Sequence, residues 1–111
     1  MLDKDIANIQ DILYAIEHIE EYVDGIASIE DLLKDTKTND AVLMNFIVLG
    51  EAANRLSDAV KTNLPNIDWR SIIGFRNFVA HDYFGVDINI VWAAIKIHLP
   101  ELKTELKKIK L

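Results

Sequence analysis

Apolar residues recur every three to four positions through almost all of this 111-residue chain, the spacing that fills one stripe of an α-helix and never the two-residue alternation of a strand. Leu2, Ile6, Ile9, Leu13, Ile16 and Val23 make the first stripe, which should end near Gly25. The opposite side carries Asp11, Glu17, Glu20, Glu21 and Asp24, a solvated acidic face. Ser28 followed by Ile29, Glu30 and Asp31 reads as an N-cap with first-turn acids, opening a short second helix that fades across 35–38. Asn39 is the expected cap of a third helix, with Val42, Phe46, Leu49, Ala53, Leu56 and Val60 as its stripe and Gly50 and Ala53 admitting a close neighbour. That helix should lie antiparallel to the first. The turn signal Asn63-Leu64-Pro65-Asn66 separates it from a fourth helix, capped by Asp68 and running through Ile72, Phe75 and Val79. A stop is expected between Tyr83 and Gly85, where glycine can take the left-handed conformation. Asp87 then caps a fifth helix through Val91, Trp92, Ile95 and Leu99, which kinks or restarts at Pro100. The fold expected is all-α: an antiparallel up-and-down bundle of four to five helices, with 1–111 as a single domain.

Several function classes drop out at this point. With no cysteine, thiolate nucleophiles, disulfides and zinc-thiolate sites are excluded. No apolar run reaches the roughly 18 residues needed to span a bilayer, and the start Met1-Leu2-Asp3-Lys4-Asp5 lacks the layout of a signal peptide, so a cytoplasmic location is expected. No glycine-rich phosphate loop or metal-ligand spacing is present, so neither a metal nor another cofactor is expected. The formal charge of −6 supplies no global attraction for nucleic acid, so any RNA contact has to be local.

One stretch does not read as plain bundle. In Gly74-Phe75-Arg76-Asn77-Phe78-Val79-Ala80-His81-Asp82-Tyr83, polar groups suited to phosphate or proton chemistry interrupt an apolar helix end. The pattern Arg-Asn-x-x-x-His-x-Tyr resembles the signature of HEPN domains, and the run 72–87 is similar to their HepT-like branch in particular. Thr38-Asn39-Asp40-Ala41 and Gly50-Glu51-Ala52-Ala53-Asn54-Arg55-Leu56-Ser57 upstream, with Trp92 and Leu99-Pro100 downstream, extend the likeness over nearly the whole chain. The resemblance implies a two-fold homodimer and a ribonuclease toxin of a toxin–antitoxin pair. It also implies a minimal nucleotidyltransferase antitoxin that attaches adenylate to Tyr83 and so blocks the RNA site.

The residue types fit such a task on their own terms. Asn77 and His81 are four apart and lie within about 40° on one helix face, whereas Arg76 and His81 are about 140° apart, so the arginine has to reach around. Metal-free RNA cleavage needs a base for the 2′-hydroxyl, an acid for the leaving 5′-oxygen and positive charge on the phosphorane-like transition state. His81 can exchange a proton near neutral pH, Arg76 can hold two phosphate oxygens, and Asn77 can orient one of them or fix His81. One chain offers one such histidine, so a dimer would supply base and acid from different subunits.

Residue type alone reads Tyr83 as a partly buried aromatic and leaves Arg76 and His81 open to a structural role. Glu51 and Arg55 are spaced for a helical ion pair, and Glu51 is a second-tier candidate to line the cleft. His18 and His98 read as surface or satisfied histidines, and Trp69, Phe75, Phe78 and Trp92 as core or dimer contacts. The alternative to an enzyme is a non-catalytic accessory subunit that binds or presents nucleotide to a separate nucleotidyltransferase chain.

Overall fold

The computed structural model describes all residues from Met1 to Leu111. Four long helical stretches and two short helices follow one another, and no strand forms. The elements are α1 (Asp3–Tyr22), α2 (Ile29–Lys34), α3 (Thr36–Arg55), α4 (Asp58–Asn63), α5 (Trp69–His81), a 3₁₀ turn (Tyr83–Gly85), α6 (Ile88–Ala93) and α7 (Leu99–Lys107). A π-helical turn, Ala94–His98, joins α6 to α7. No helix is long and apolar enough to cross a membrane.

α1 and α3 form the centre of the bundle, and α5 packs on the other flank of α3. Both pairs are antiparallel. Lys4 at the start of α1 donates to the carbonyl of Arg55 at the end of α3, while Phe75 of α5 meets Phe46 of α3 with ring centroids 4.9 Å apart and Tyr83 meets Asp40. The expected antiparallel packing of the first and third helices is therefore present. The stripe of α1 is rotated from its predicted centre: Ile9, Ile12, Ile16 and Ile19 are fully buried, Ile6 and Leu13 are half-buried, and Leu2 is exposed. Each of those buried isoleucines removes enough apolar surface from water to contribute about 1.5–3 kcal/mol. The acidic face of α1 is exposed as expected.

The caps explain where the elements begin. Ser28 accepts from the Asp31 amide, Asp68 from the Ser71 amide and hydroxyl, and Asp87 from the Asn89 amide. The cap of α3 is Asp35 and not Asn39, because the Asp35 carboxylate takes both the amide and the hydroxyl of Thr38 and pulls the start of the helix forward to Thr36. The third helix also ends earlier than its apolar stripe. Leu56 leaves helical geometry, Ser57 caps α4 at Val60, and Val60 is buried from that separate helix. Gly85 sits in a 3₁₀ turn without a positive φ. The left-handed glycine is Gly25, at φ +86° just past α1, where any side chain would be strained. Pro100 lacks an N–H and its ring crowds the preceding turn, and the helix answers with the π turn and runs on through the proline.

One buried carboxylate ties the start of α1 to the break after α3. Asp5 accepts from the amide and hydroxyl of Ser57 at 2.9 and 2.8 Å and is almost wholly buried. The Ser57 amide, opposed by burial and helped by the Ser57 hydroxyl, holds its carboxyl below the ordinary aspartate value. A depressed carboxyl stabilises the fold fully above the unfolded value, about 3.9, and loses that contribution as pH falls through the lower folded value. The advantage of wild type over Asp5→Asn in urea melts is therefore expected to be constant near neutral pH and to shrink progressively below about pH 4. An advantage independent of pH would remove the ionised carboxylate from the explanation.

Candidate functional site

Helix α5 carries the site, and its position follows from two contacts with α3. Phe75 edges onto Phe46, fixing the height of the helix. One residue later the two backbones come close: a side chain at Gly50 would overlap Cβ and Cγ of Arg76. Only glycine leaves room there for the stem of the arginine.

Arg76, Asn77 and His81 line one open recess of about 590 Å³, together with Phe78, Ala80 and Asp82. The guanidinium of Arg76 bridges two neighbours. Its Nη2 forms an ion pair with Glu51 of α3, both side chains being about one-third exposed, and its Nη1 donates to Oδ1 of Asn77 at 2.5 Å. Arg76 Nε is buried and has no acceptor. Asn77 and His81 are exposed. The recess thus presents a guanidinium, an amide and an imidazole to solvent, the donors that an anionic phosphodiester would meet.

Glu51 does not pair with Arg55 at the helical spacing. It pairs with Arg76 across the helix interface, and it is not among the residues that line the recess. A tertiary partner has taken over from the local one.

Tyr83 lies outside the recess as well. Its ring is half-buried, and its hydroxyl donates to the Asp40 carbonyl at 3.2 Å. Burial, followed by the Asp40 carboxylate and the hydrogen bond to Asp40, raises the phenol above its ordinary value, so it stays protonated at neutral pH. The partly buried aromatic that residue type alone suggests is what this conformation shows. Phe84 beside it is fully exposed.

Of the remaining aromatics, Trp69 is buried, while Phe75, Phe78 and Trp92 pack half-buried against the core. His18 meets Tyr14 edge-on and stacks on Tyr22 along α1, and His98 faces Glu101 at the start of α7. Neither approaches the recess. Sequence reasoning missed Asp40 as the partner of Tyr83 and Gly50 as the seat of Arg76. The close-approach signal at Gly50 was visible, but its occupant was not.

Fold and candidate site together define a class: a small all-helical protein with an Arg-Asn-x-x-x-His motif at the end of a helix packed antiparallel on its neighbour. The model of the family described as "Ribonuclease HepT-like" matches residues 12–109. The chain is 37% identical over 102 residues to "Probable ribonuclease HepT" of Thermococcus cleftensis, covering 92% of each chain. It is 34% identical over 101 residues to a "Putative RNase" of Caldanaerobacter subterraneus subsp. tengcongensis, covering 91% of this chain and 89% of that one. A third relative, also named "Putative RNase", from Methanocaldococcus jannaschii, is 31% identical over 106 residues. No solved structure matches the chain. The chain belongs to the HepT-like ribonuclease family.

Proposed function

We infer that this protein cuts RNA without a metal, at a site completed in a symmetric homodimer, and that it is the toxin of a pair whose nucleotidyltransferase partner silences it by attaching adenylate to Tyr83. The observation that carries the reading is the convergence of Arg76, Asn77 and His81 on one recess despite the angular separation of Arg76 from His81.

The reaction uses only groups of this kind. Neutral His81 of one protomer takes the proton of the 2′-hydroxyl, and that oxygen attacks the adjacent phosphorus. The bond from phosphorus to the 5′-oxygen breaks, and the leaving oxygen receives a proton from protonated His81 of the partner subunit. Arg76 neutralises the charge that accumulates on the phosphoryl oxygens, and Asn77 keeps its guanidinium aimed at them. The products are a 2′,3′-cyclic phosphate and a 5′-hydroxyl. A two-fold axis is the ordinary symmetry for such an assembly.

Incubation of the purified protein with total RNA is the direct test. Fragments with cyclic phosphate ends should accumulate equally with and without EDTA. Cutting that EDTA abolishes would end the metal-free scheme. No cutting, with nucleotide bound only alongside a nucleotidyltransferase chain, would favour the accessory reading.

Silencing through Tyr83 requires the phenol to leave Asp40, since its hydroxyl is engaged there. Adenylate on that oxygen would place negative charge two residues from His81, in competition with substrate phosphate. After co-expression with the partner, intact-mass spectra should show adenylate additions on wild type and none on Tyr83→Phe. Equal additions on both would remove Tyr83 as the acceptor.

A further inference from the structure

An arginine stem can swing through many rotamers, and a half-exposed one ordinarily does. Arg76 is held at three levels instead. Its Cβ and Cγ occupy the space that a side chain at position 50 would fill. Its Nε is enclosed without an acceptor. Its two terminal nitrogens meet Glu51 on one side and Asn77 on the other. Of the five N–H groups of a guanidinium, one is buried out of a ligand's reach and two are engaged, and two on the terminal nitrogens are left for a ligand.

We propose that Gly50 and Glu51 form a seat for Arg76: the glycine admits the stem, and Glu51, a positioning residue, orients the fork toward the recess that His81 edges. The inference rests on the ribonuclease reading and deepens it. Glu51 touches Arg76 and does not line the recess, so it acts through the arginine and not on RNA.

The opposite role, a carboxylate that competes with phosphate and holds the arginine back, gives the opposite sign. Removing a negative charge beside an RNA site should by charge alone strengthen RNA binding. A seat predicts slower cutting in spite of that. Mispositioning of a reacting group by about 1 Å costs on the order of 100-fold in rate.

The experiment compares wild type, Glu51→Gln and Gly50→Ala. Glu51→Gln should melt near wild type and bind RNA lacking the scissile 2′-hydroxyl as tightly or more tightly. At saturating RNA it should nevertheless cut roughly 10- to 100-fold more slowly. Gly50→Ala, which forces the stem aside, should slow cutting in the same way, with circular dichroism reporting whether it still folds. Unchanged or faster cutting by Glu51→Gln overturns the seat while leaving the ribonuclease reading intact; absence of cutting by wild type removes the latter. A readout independent of RNA settles the seat in either case. In isotope-labelled protein the Arg76 side-chain N–H signals should be separately resolved in wild type and averaged by rotation in Glu51→Gln. Averaged signals in wild type would refute the positioning.

Discussion

His81→Ala is expected to lower RNA cleavage on the order of 10²- to 10⁴-fold, the range attributable to a positioned proton-transfer group. Loss at the upper end is expected on the proposed two-fold scheme, in which one substitution removes both the base and the acid. The fold should survive. His81 is exposed at the last position of α5, so the variant removes no buried contact. On the same proposed scheme the wild-type rate should rise and then fall with pH, because one copy of the imidazole would act as base and the other as acid. The measurement pairs single-turnover cutting with a thermal melt and a dimer assay. Near-wild-type cutting by His81→Ala would take the imidazole out of the mechanism, and lost cutting together with a collapsed melt would show only that the substitution unfolds the chain.

What the sequence made legible was whatever depends on neighbours within a turn or two. The caps at Ser28, Asp68 and Asp87 were correct because each side chain closes onto an amide two or three residues ahead. The shared face of Asn77 and His81 follows from helix geometry in the same way. The errors lie where a local signal had a competitor. Two Asx residues compete to cap α3, and Asp35 prevails over Asn39 because Thr38 gives it two donors. Glu51 had a partner at helical spacing in Arg55, yet an arginine 25 residues on, brought in by the Gly50 contact, displaced it. The end of α3 depends on a carboxylate far away in the sequence, since Asp5 fixes Ser57 and Ser57 caps α4. No window along the chain contains that pair. The misplaced centre of the α1 stripe has a simpler origin: Ile12 and Ile19 belong to an apolar face wider than the chosen line. As for the candidate site, residue types and spacing picked out Arg76, Asn77 and His81, and only the packing of α5 on α3 showed that the Arg76 guanidinium lies between Glu51 and Asn77.

Arg76→Lys is the sharper probe of phosphate recognition than removal of the side chain. Arg76→Ala would leave Glu51 with an unpaired carboxylate at a one-third-exposed site and empty the space over Gly50, so stability and catalysis would change together. Lysine keeps the first two stem carbons that pack on Gly50, and it keeps a cation for Glu51. What it cannot keep is the planar fork. A single ammonium that pairs with Glu51 cannot also satisfy Asn77 and present two parallel N–H groups to phosphoryl oxygens. The expected outcome is therefore a separation of effects: a melt close to wild type, low-salt RNA affinity nearly retained because the charge is retained, and cutting slowed by about 10²- to 10³-fold, the cost of losing a transition-state donor. Single-turnover rates alongside binding of RNA without the scissile 2′-hydroxyl measure the two separately. A lysine variant that cuts almost as fast as wild type would mean that position 76 supplies only charge, and the bidentate grip on the transition state would have to be abandoned.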